Sequence, residues 1–212
     1  MKSLLFAAIM LVSISCGAAQ ATPPPPNIAK TVSFIFLADD NGNPRINPDT
    51  AGPMPNGTGF FVLVTNENGP GGYGYLVTAK HVLKNEKGEF YKRIYVRINS
   101  KSGDAQFVPL DLRATGEKKN VYLHDDASVD IAVIPAWPPE TVFDVLGVPN
   151  SMIKDNDEFK KTTIVEGSDV FFVGLFAPHF GDKKNTPIFR FGRVAMMTDG
   201  RQISLAGARE IG

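Results

Sequence analysis

The stretch Gly59-Phe60-Phe61-Val62-Leu63-Val64 is an uninterrupted apolar run of the kind that forms a buried β-strand. Residues 66–72 follow it and are rich in Asn and Gly, which favour turns. The segment Tyr73-Gly74-Tyr75-Leu76-Val77-Thr78 then resumes a strand pattern. Two β-rich runs joined by a Gly-containing turn predict a β-hairpin over residues 59–78.

Short strand patterns continue on both sides of this hairpin. Residues 93–98 alternate, so that Ile94, Val96 and Ile98 share one face and Arg93, Tyr95 and Arg97 share the other. Residues 151–161 are polar and fit a short helix. The spacing of the strands predicts an all-β barrel or sandwich. The other predicted strands lie at residues 31–37, 107–108, 121–123, 131–134, 170–173, 188–191, 194–197 and 203–205.

The composition limits the classes of function. The 212 residues carry 22 basic and 22 acidic side chains, and a protein that neutralises DNA phosphates needs a basic face. We therefore expect no nucleic-acid partner. The 43% hydrophobic content and 15 phenylalanines suffice for a packed core. The chain has one cysteine, so an intrachain disulfide is impossible.

The first 21 residues have the pattern of a secretory signal peptide. Lys2 is followed by an apolar stretch at residues 4–14 and by the small-x-small sequence Ala19-Gln20-Ala21. Cys16 allows a lipoprotein as the alternative, although no leucine precedes it in the usual position. We expect a secreted or periplasmic protein without stable membrane insertion after cleavage. Residues 22–30 would form a proline-rich lead-in.

Three motifs occur in a fixed order along the chain. They are Gly57-Thr58-Gly59-Phe60, then Thr78-Ala79-Lys80-His81, then Asp130-Ile131-Ala132-Val133, with His81 and Asp130 separated by 49 positions. This combination resembles the trypsin-like (chymotrypsin-fold) serine proteases, and in particular their bacterial exported members. The resemblance extends from about residue 31 to about residue 197. It implies a double β-barrel, with a first barrel at 31–137, a connector at 138–162 and a partial second barrel at 163–212.

The resemblance also implies a site. A serine hydroxyl needs an imidazole to accept its proton, and a carboxylate holds that imidazole in the correct tautomer. His81 would be the general base and Asp130 the orienting group of a serine endopeptidase that acts on a protein or peptide without a cofactor or metal. From the residues alone, His81 also fits a strand-end histidine bonded to backbone, and Asp130 fits a turn residue that caps the next strand.

The nucleophile of this family is missing from the sequence. None of the 20 glycines has Ser, Cys or Thr two positions later, so the chain contains no Gly-x-Ser-Gly-Gly turn. Ser204 lies in an alternating run without flanking glycines, and Ser168 directly follows Gly167. We therefore expect the nucleophile outside these 212 residues, an incomplete second barrel, and no hydrolytic activity from the chain itself.

Two alternatives stay open. The chain could be a non-catalytic relative that binds a protein or peptide in the residual cleft. It could also be an unrelated secreted β-sandwich binding domain in which His81 and Asp130 match by coincidence. Neighbouring candidates are weaker. His124 has no second histidine or cysteine at metal-ligand spacing, and the Asx-rich loop at residues 39–50 departs from a calcium loop at Pro44 and Thr50. His179 fits a surface-loop histidine of the second lobe.

Overall fold

The computed structural model describes residues 23–66, 69, 71–114 and 119–197, and nearly all of its regular structure is β. The prediction of an all-β fold is confirmed. Within these described ranges, helical structure is confined to one turn of α-helix, α1 (Asn156–Phe159), and to 3-10 turns at Ile28–Thr31, Lys80–Leu83, Asn150–Met152 and Ala177–His179. The strands are β1 (Val32–Leu37), β2 (Pro55–Thr65), β3 (Gly72–Thr78), β4 (Arg93–Ile98), β5 (Gln106–Asp111), β6 (Tyr122–Leu123), β7 (Ala132–Pro135), β8 (Val148–Pro149), β9 (Asp169–Gly174) and β10 (Ile188–Arg193).

Eight of these strands form one sheet that curls into a half-barrel. Its order is β5-β4-β1-β2-β3-β7-β6, all antiparallel, and β8 pairs with β2 in parallel. The hairpin predicted at residues 59–78 is β2–β3, in register from Gly59 opposite Thr78 to Thr65 opposite Gly72. Strand β3 then pairs with β7, which brings the two chain segments of the predicted site together.

The concave face of the sheet holds the main core. Alternation along β4 places Ile94, Val96 and Ile98 in this core, as the sequence predicts. Phe61 packs edge-on against Trp137, with ring centroids 5.8 Å apart. The core also takes Phe143 and Val145 from the segment that the sequence assigns to the connector, and that segment continues into β8.

One glycine is required by this packing. A Cβ built on Gly74 of β3 would lie 2.4 Å from the Trp137 indole, closer than non-bonded carbon atoms can approach. The position therefore needs the residue without a side chain, because the neighbouring atoms belong to a rigid ring. The indole is held in turn by a hydrogen bond from Nε1 to Glu140 Oε1 at 3.0 Å.

The second sheet is the hairpin β9–β10, which docks on the convex side of β1. Val32, Phe34 and Phe36 of β1 form a smaller core with Val173, Leu175 and other partly buried residues. All six residues of β1 are consequently buried, because both faces of this strand are covered. Further from β1 the hairpin is less covered, and the side chains of Phe172 and Phe191 are both exposed.

Arg97 joins the hairpin region to the sheet, which the alternation of β4 does not predict. Its side chain lies on the convex face but is only 3% exposed. The guanidinium donates to Asp182 O at 2.7 Å and to Asn185 Oδ1 at 3.1 Å, and Asn185 Nδ2 donates back to Arg97 O at 2.6 Å. The residues after β9 thus cover a position that would otherwise face solvent.

The strand predicted at residues 194–197 is wrong. Strand β10 ends at Arg193, and Val194 instead bonds to the turn before β9, through its N–H to Ser168 O and its carbonyl to Gly167 N–H. Gly167 adopts a positive φ of 87° in the turn that precedes β9. The partner strand therefore does not extend far enough to pair with residues 195–197.

Several predictions fall on other parts of the chain. The signal peptide at residues 1–21, Cys16, the strand at 203–205 and Ser204 all lie outside the described residues. In the part that the structure does describe, no helix has the length and apolar character needed to cross a membrane.

Candidate active site

His81 lies in the 3-10 turn Lys80–Leu83 that follows β3. The next two residues, Val82 and Leu83, are buried in the main core and fix the turn. Asn56 of β2 also holds this turn, because its Nδ2 donates a hydrogen bond to Val82 O at 2.8 Å. Gly57 leaves space for the turn, since a Cβ there would lie 2.7 Å from a Val82 methyl carbon. The motif that begins at Gly57 therefore shapes the backbone beneath His81.

Asp130 reaches His81 because of the β3–β7 register. Thr78 pairs with Ala132, so the residue two positions before Ala132 lies beside the chain that leaves Thr78. Asp130 Oδ2 lies 2.5 Å from His81 Nδ1, and Asp130 Oδ1 accepts the backbone N–H of His81 at 2.9 Å. The structure thus brings the two sequence-predicted site residues together across 49 positions of chain.

This arrangement fixes the chemistry of the imidazole. An ionised carboxylate only accepts hydrogen bonds, so Nδ1 carries the hydrogen when His81 is neutral. Nε2 then holds a lone pair, and it has no hydrogen-bond partner within the described part of the chain. A free Nε2 lone pair is what a general base needs.

The pair is largely exposed to solvent. A buried carboxylate is expected for an orienting group, yet the Asp130 side chain is 48% exposed and that of His81 is 75% exposed. The physical reason is that Asp130 lies before β7 begins, on the rim of the half-barrel, and no described element passes over it. Exposed ion pairs are worth little for stability, so this contact orients groups more than it stabilises the fold.

The pKa of Asp130 lies below its usual range. The largest cause is the hydrogen bond from the His81 ring, followed by the one from the His81 backbone N–H. A lowered carboxyl pKa means that the stabilising contact is complete above the ordinary carboxyl value and is lost as the pH falls through the lowered value. Asp130 is therefore charged at neutral pH.

Asp126 and the candidate His124, both close to Asp130 in the chain, form hydrogen bonds within their own turn. Asp126 Oδ1 accepts the backbone N–H and the hydroxyl of Ser128, at 2.8 and 2.7 Å. The Asp126 backbone N–H donates to His124 Nδ1 at 3.0 Å, which gives neutral His124 its hydrogen on Nε2. The two histidines thus hold opposite tautomers.

The remaining predicted candidates lie in separate turns. His179 sits in the turn Ala177–His179 against the Phe176 ring, at a centroid distance of 5.9 Å. Ser168 Oγ accepts the backbone N–H of Val165 at 3.0 Å. In the loop at residues 39–50, Asp39 accepts the N–H groups of Asn41 and Asn43. Across the described ranges, no group of three or more His, Cys, Asp and Glu residues could hold a metal ion.

Thr58 connects this site to the second sheet, which sequence reasoning did not find. Its hydroxyl accepts the backbone N–H of Leu175 at 2.9 Å, just after β9, while its carbonyl accepts the Thr78 hydroxyl at 2.8 Å. Residues 56–59 therefore contact the His81 turn on one side and the hairpin on the other. The only signal in the sequence is the small-residue motif itself.

Comparison with known proteins gives no relative: no family model, no curated protein and no solved structure matches this chain.

Proposed function

We propose that this chain carries the general base and the orienting carboxylate of a trypsin-like serine endopeptidase. His81 would accept the proton of an attacking serine at Nε2, and Asp130 would hold the imidazole tautomer that allows it. One observation carries the proposal, namely that a single carboxylate accepts both the Nδ1 hydrogen and the backbone N–H of the same histidine.

The nucleophile is taken to lie outside the 212 residues, because no Gly-x-Ser sequence occurs among them. The proposal therefore divides the catalytic groups, with two in this chain and the serine elsewhere. A β-sandwich in which His81 and Asp130 match by coincidence fits less well, since eight of the ten described strands form one curled sheet and its β3–β7 pairing brings both residues into contact.

The reactivity of His81 tests the proposal without requiring the serine. Diethyl pyrocarbonate acylates the unprotonated nitrogen of an imidazole, and mass spectrometry gives the rate for each histidine. His81 should react fastest of the three histidines, because its Nε2 lone pair is free and exposed. In His124 the unprotonated nitrogen is Nδ1, which already accepts a backbone hydrogen bond.

Asp130→Asn should lower the His81 rate by about tenfold or more, because the same kind of change in a complete triad lowers kcat by about 10⁴. The Asn oxygen would keep the bond from the His81 backbone N–H. Its amide nitrogen would then donate to Nδ1 and leave the hydrogen on Nε2. Asp125→Asn, at an exposed carboxylate nearby, is the matched control and should leave the rate unchanged. An unchanged His81 rate in Asp130→Asn would contradict the proposal.

The chain alone should not hydrolyse peptides. Purified protein incubated with casein should release no more peptide than buffer does, since base and orienter without a nucleophile cannot form the acyl-enzyme. If the protein cleaves casein and His81→Ala abolishes this cleavage, the nucleophile lies within these 212 residues and this part of the proposal is wrong.

A non-catalytic peptide-binding domain is the second candidate. The observation in its favour is one face of the hairpin β9–β10, where the rings of Phe171, Phe189 and Phe191 lie against one another and Phe191 is 63% exposed. Exposed apolar patches of this kind mark interaction sites. Casein that is retained by the protein without cleavage, together with an unreactive His81, would favour this function.

A further inference from the structure

The Lys80 side chain points to the loop that carries Asp130. Its ammonium donates to Ala127 O at 2.7 Å and to Val129 O at 3.0 Å. Its backbone N–H also donates to Asp130 O, at 3.3 Å. One residue thus contacts three carbonyls that lie at or just before the proposed orienting group.

The loop at residues 124–130 has few other attachments. The hydrogen bonds among Asp126, Ser128 and Val129 are internal to it. Among the described residues, every hydrogen bond that ties this loop to another element comes from Lys80 or His81. The contacts from His81 are those of the site itself, so Lys80 supplies the independent anchor.

We propose that Lys80 is a positioning residue for the His81–Asp130 pair. Its ammonium draws the Ala127 and Val129 carbonyls onto the His81 turn, so that the two oxygens of Asp130 face the two N–H groups of His81. This role rests on the proposed function, because it concerns the geometry of that site. The positive charge of Lys80 supports the same role, because His81 and Lys80 both lower the pKa of Asp130 and so favour its ionised form.

The geometry explains how an exposed loop can hold the Asp130 carboxylate against His81. The ammonium satisfies two carbonyls at once, and charge-assisted hydrogen bonds are stronger than neutral ones. Without the ammonium, the loop would keep its internal bonds, the backbone bond from Lys80 N–H to Asp130 O and the two bonds to His81. The carboxylate would then sample positions in which one of those bonds is broken, and small displacements in such sites have large effects on reactivity.

Lys80→Met in the full chain tests this role, because Met keeps the unbranched apolar side chain and removes the donor. The first readout is the rate of His81 acylation by diethyl pyrocarbonate. The second is the low-field proton NMR signal of the hydrogen between Nδ1 and Oδ2. We expect the rate to fall about fivefold, since misplaced groups lose reactivity steeply, and we expect the low-field signal to broaden or vanish.

Two further variants separate positioning from general stability. Lys80→Arg keeps a charged donor for the carbonyls and should restore most of the rate and the signal. Lys84→Met is the matched control, because the Lys84 ammonium lies over the Phe90 ring, 5.0 Å from its centroid, and makes no hydrogen bond to residues 124–130. Its His81 rate should equal that of the unmodified protein. Lys80→Gln, which keeps a neutral donor, replaces the Met variant if thermal melting shows that the latter does not fold.

The outcomes distinguish this inference from the proposed function. If unmodified protein shows neither the low-field signal nor fast acylation, the pair does not form and both proposals fail. If the unmodified protein shows both but folded Lys80→Met or Lys80→Gln keeps them unchanged, only the positioning role is overturned. If Lys80→Arg and Lys80→Met both fold and lose the His81 acylation rate and the low-field signal equally, the positioning role is also overturned.

Discussion

Arg97→Met will lower the free energy of unfolding by about 3 kcal/mol, because it leaves buried acceptors without their donor. The guanidinium is held between the rings of Phe107 and Phe180, at 6.0 and 5.2 Å from their centroids. No carboxylate hydrogen-bonds to it, and its acceptors are carbonyl and amide oxygens such as Asp182 O and Asn185 Oδ1. Burial lowers the pKa of Arg97, but an arginine remains charged and keeps donating.

Urea denaturation at neutral pH measures this effect. Arg93→Met is the matched control on the same strand, since Arg93 is exposed and its nearest carboxylate oxygen, on Asp111, is 4.0 Å away. Exposed pairs contribute about 1 kcal/mol or less. Equal losses in the two variants would show that the Arg97 contacts do not hold the segment after β9 on the sheet.

Phe61→Ala will cost about 3–5 kcal/mol, the range for removing a buried aromatic ring. Phe61 is 1% exposed and packs edge-on against Trp137. It also lines an apolar cavity of about 240 Å³ with Val96, Val108 and neighbouring residues. Truncation would enlarge this existing space, and the cost of a core truncation rises with the volume left empty.

Phe60→Ala is the comparison within the same strand. Phe60 precedes Phe61 on β2, points to the other face and is 38% exposed. It should lose about 1 kcal/mol, since much of its area already contacts solvent. Thermal or urea unfolding of both variants measures the difference, and similar losses would contradict the placement of the core on the concave face.

The alternation of residues made part of this fold predictable. Ile94, Val96 and Ile98 lie on one face of β4 in sequence and in structure, because a strand has a side-chain period of two. The β2–β3 hairpin follows from its two apolar runs and the glycines between them. Such local patterns need no knowledge of distant parts of the chain.

Contacts between distant segments were not predictable in the same way. The burial of Arg97 depends on Asn185, which is 88 positions away and carries no pattern that points to it. Residues 194–197 form an apolar run of the kind that forms a strand, but the partner chain turns at Gly167 before it can pair with the whole run. Local propensity could not supply either result, since each depends on where another segment ends.

The proposed site was predictable from the sequence only in part. The motif order placed His81 and Asp130 together as candidates, and the β3–β7 register brings them into contact. The sequence did not indicate the exposure of Asp130 or the anchoring of its loop by Lys80. Both depend on which segments pass near the rim of the half-barrel.

The tautomers of the histidines give the most direct test of the pair. Long-range ¹H–¹⁵N NMR, recorded at a pH where the imidazoles are neutral, identifies the protonated nitrogen of each ring. The structure predicts the hydrogen on Nδ1 of His81, because Asp130 accepts it, and on Nε2 of His124, because Nδ1 accepts the Asp126 backbone N–H. His81 protonated on Nε2, or with the same tautomer as His124, would contradict the central claim that Asp130 prepares His81 to act as a base.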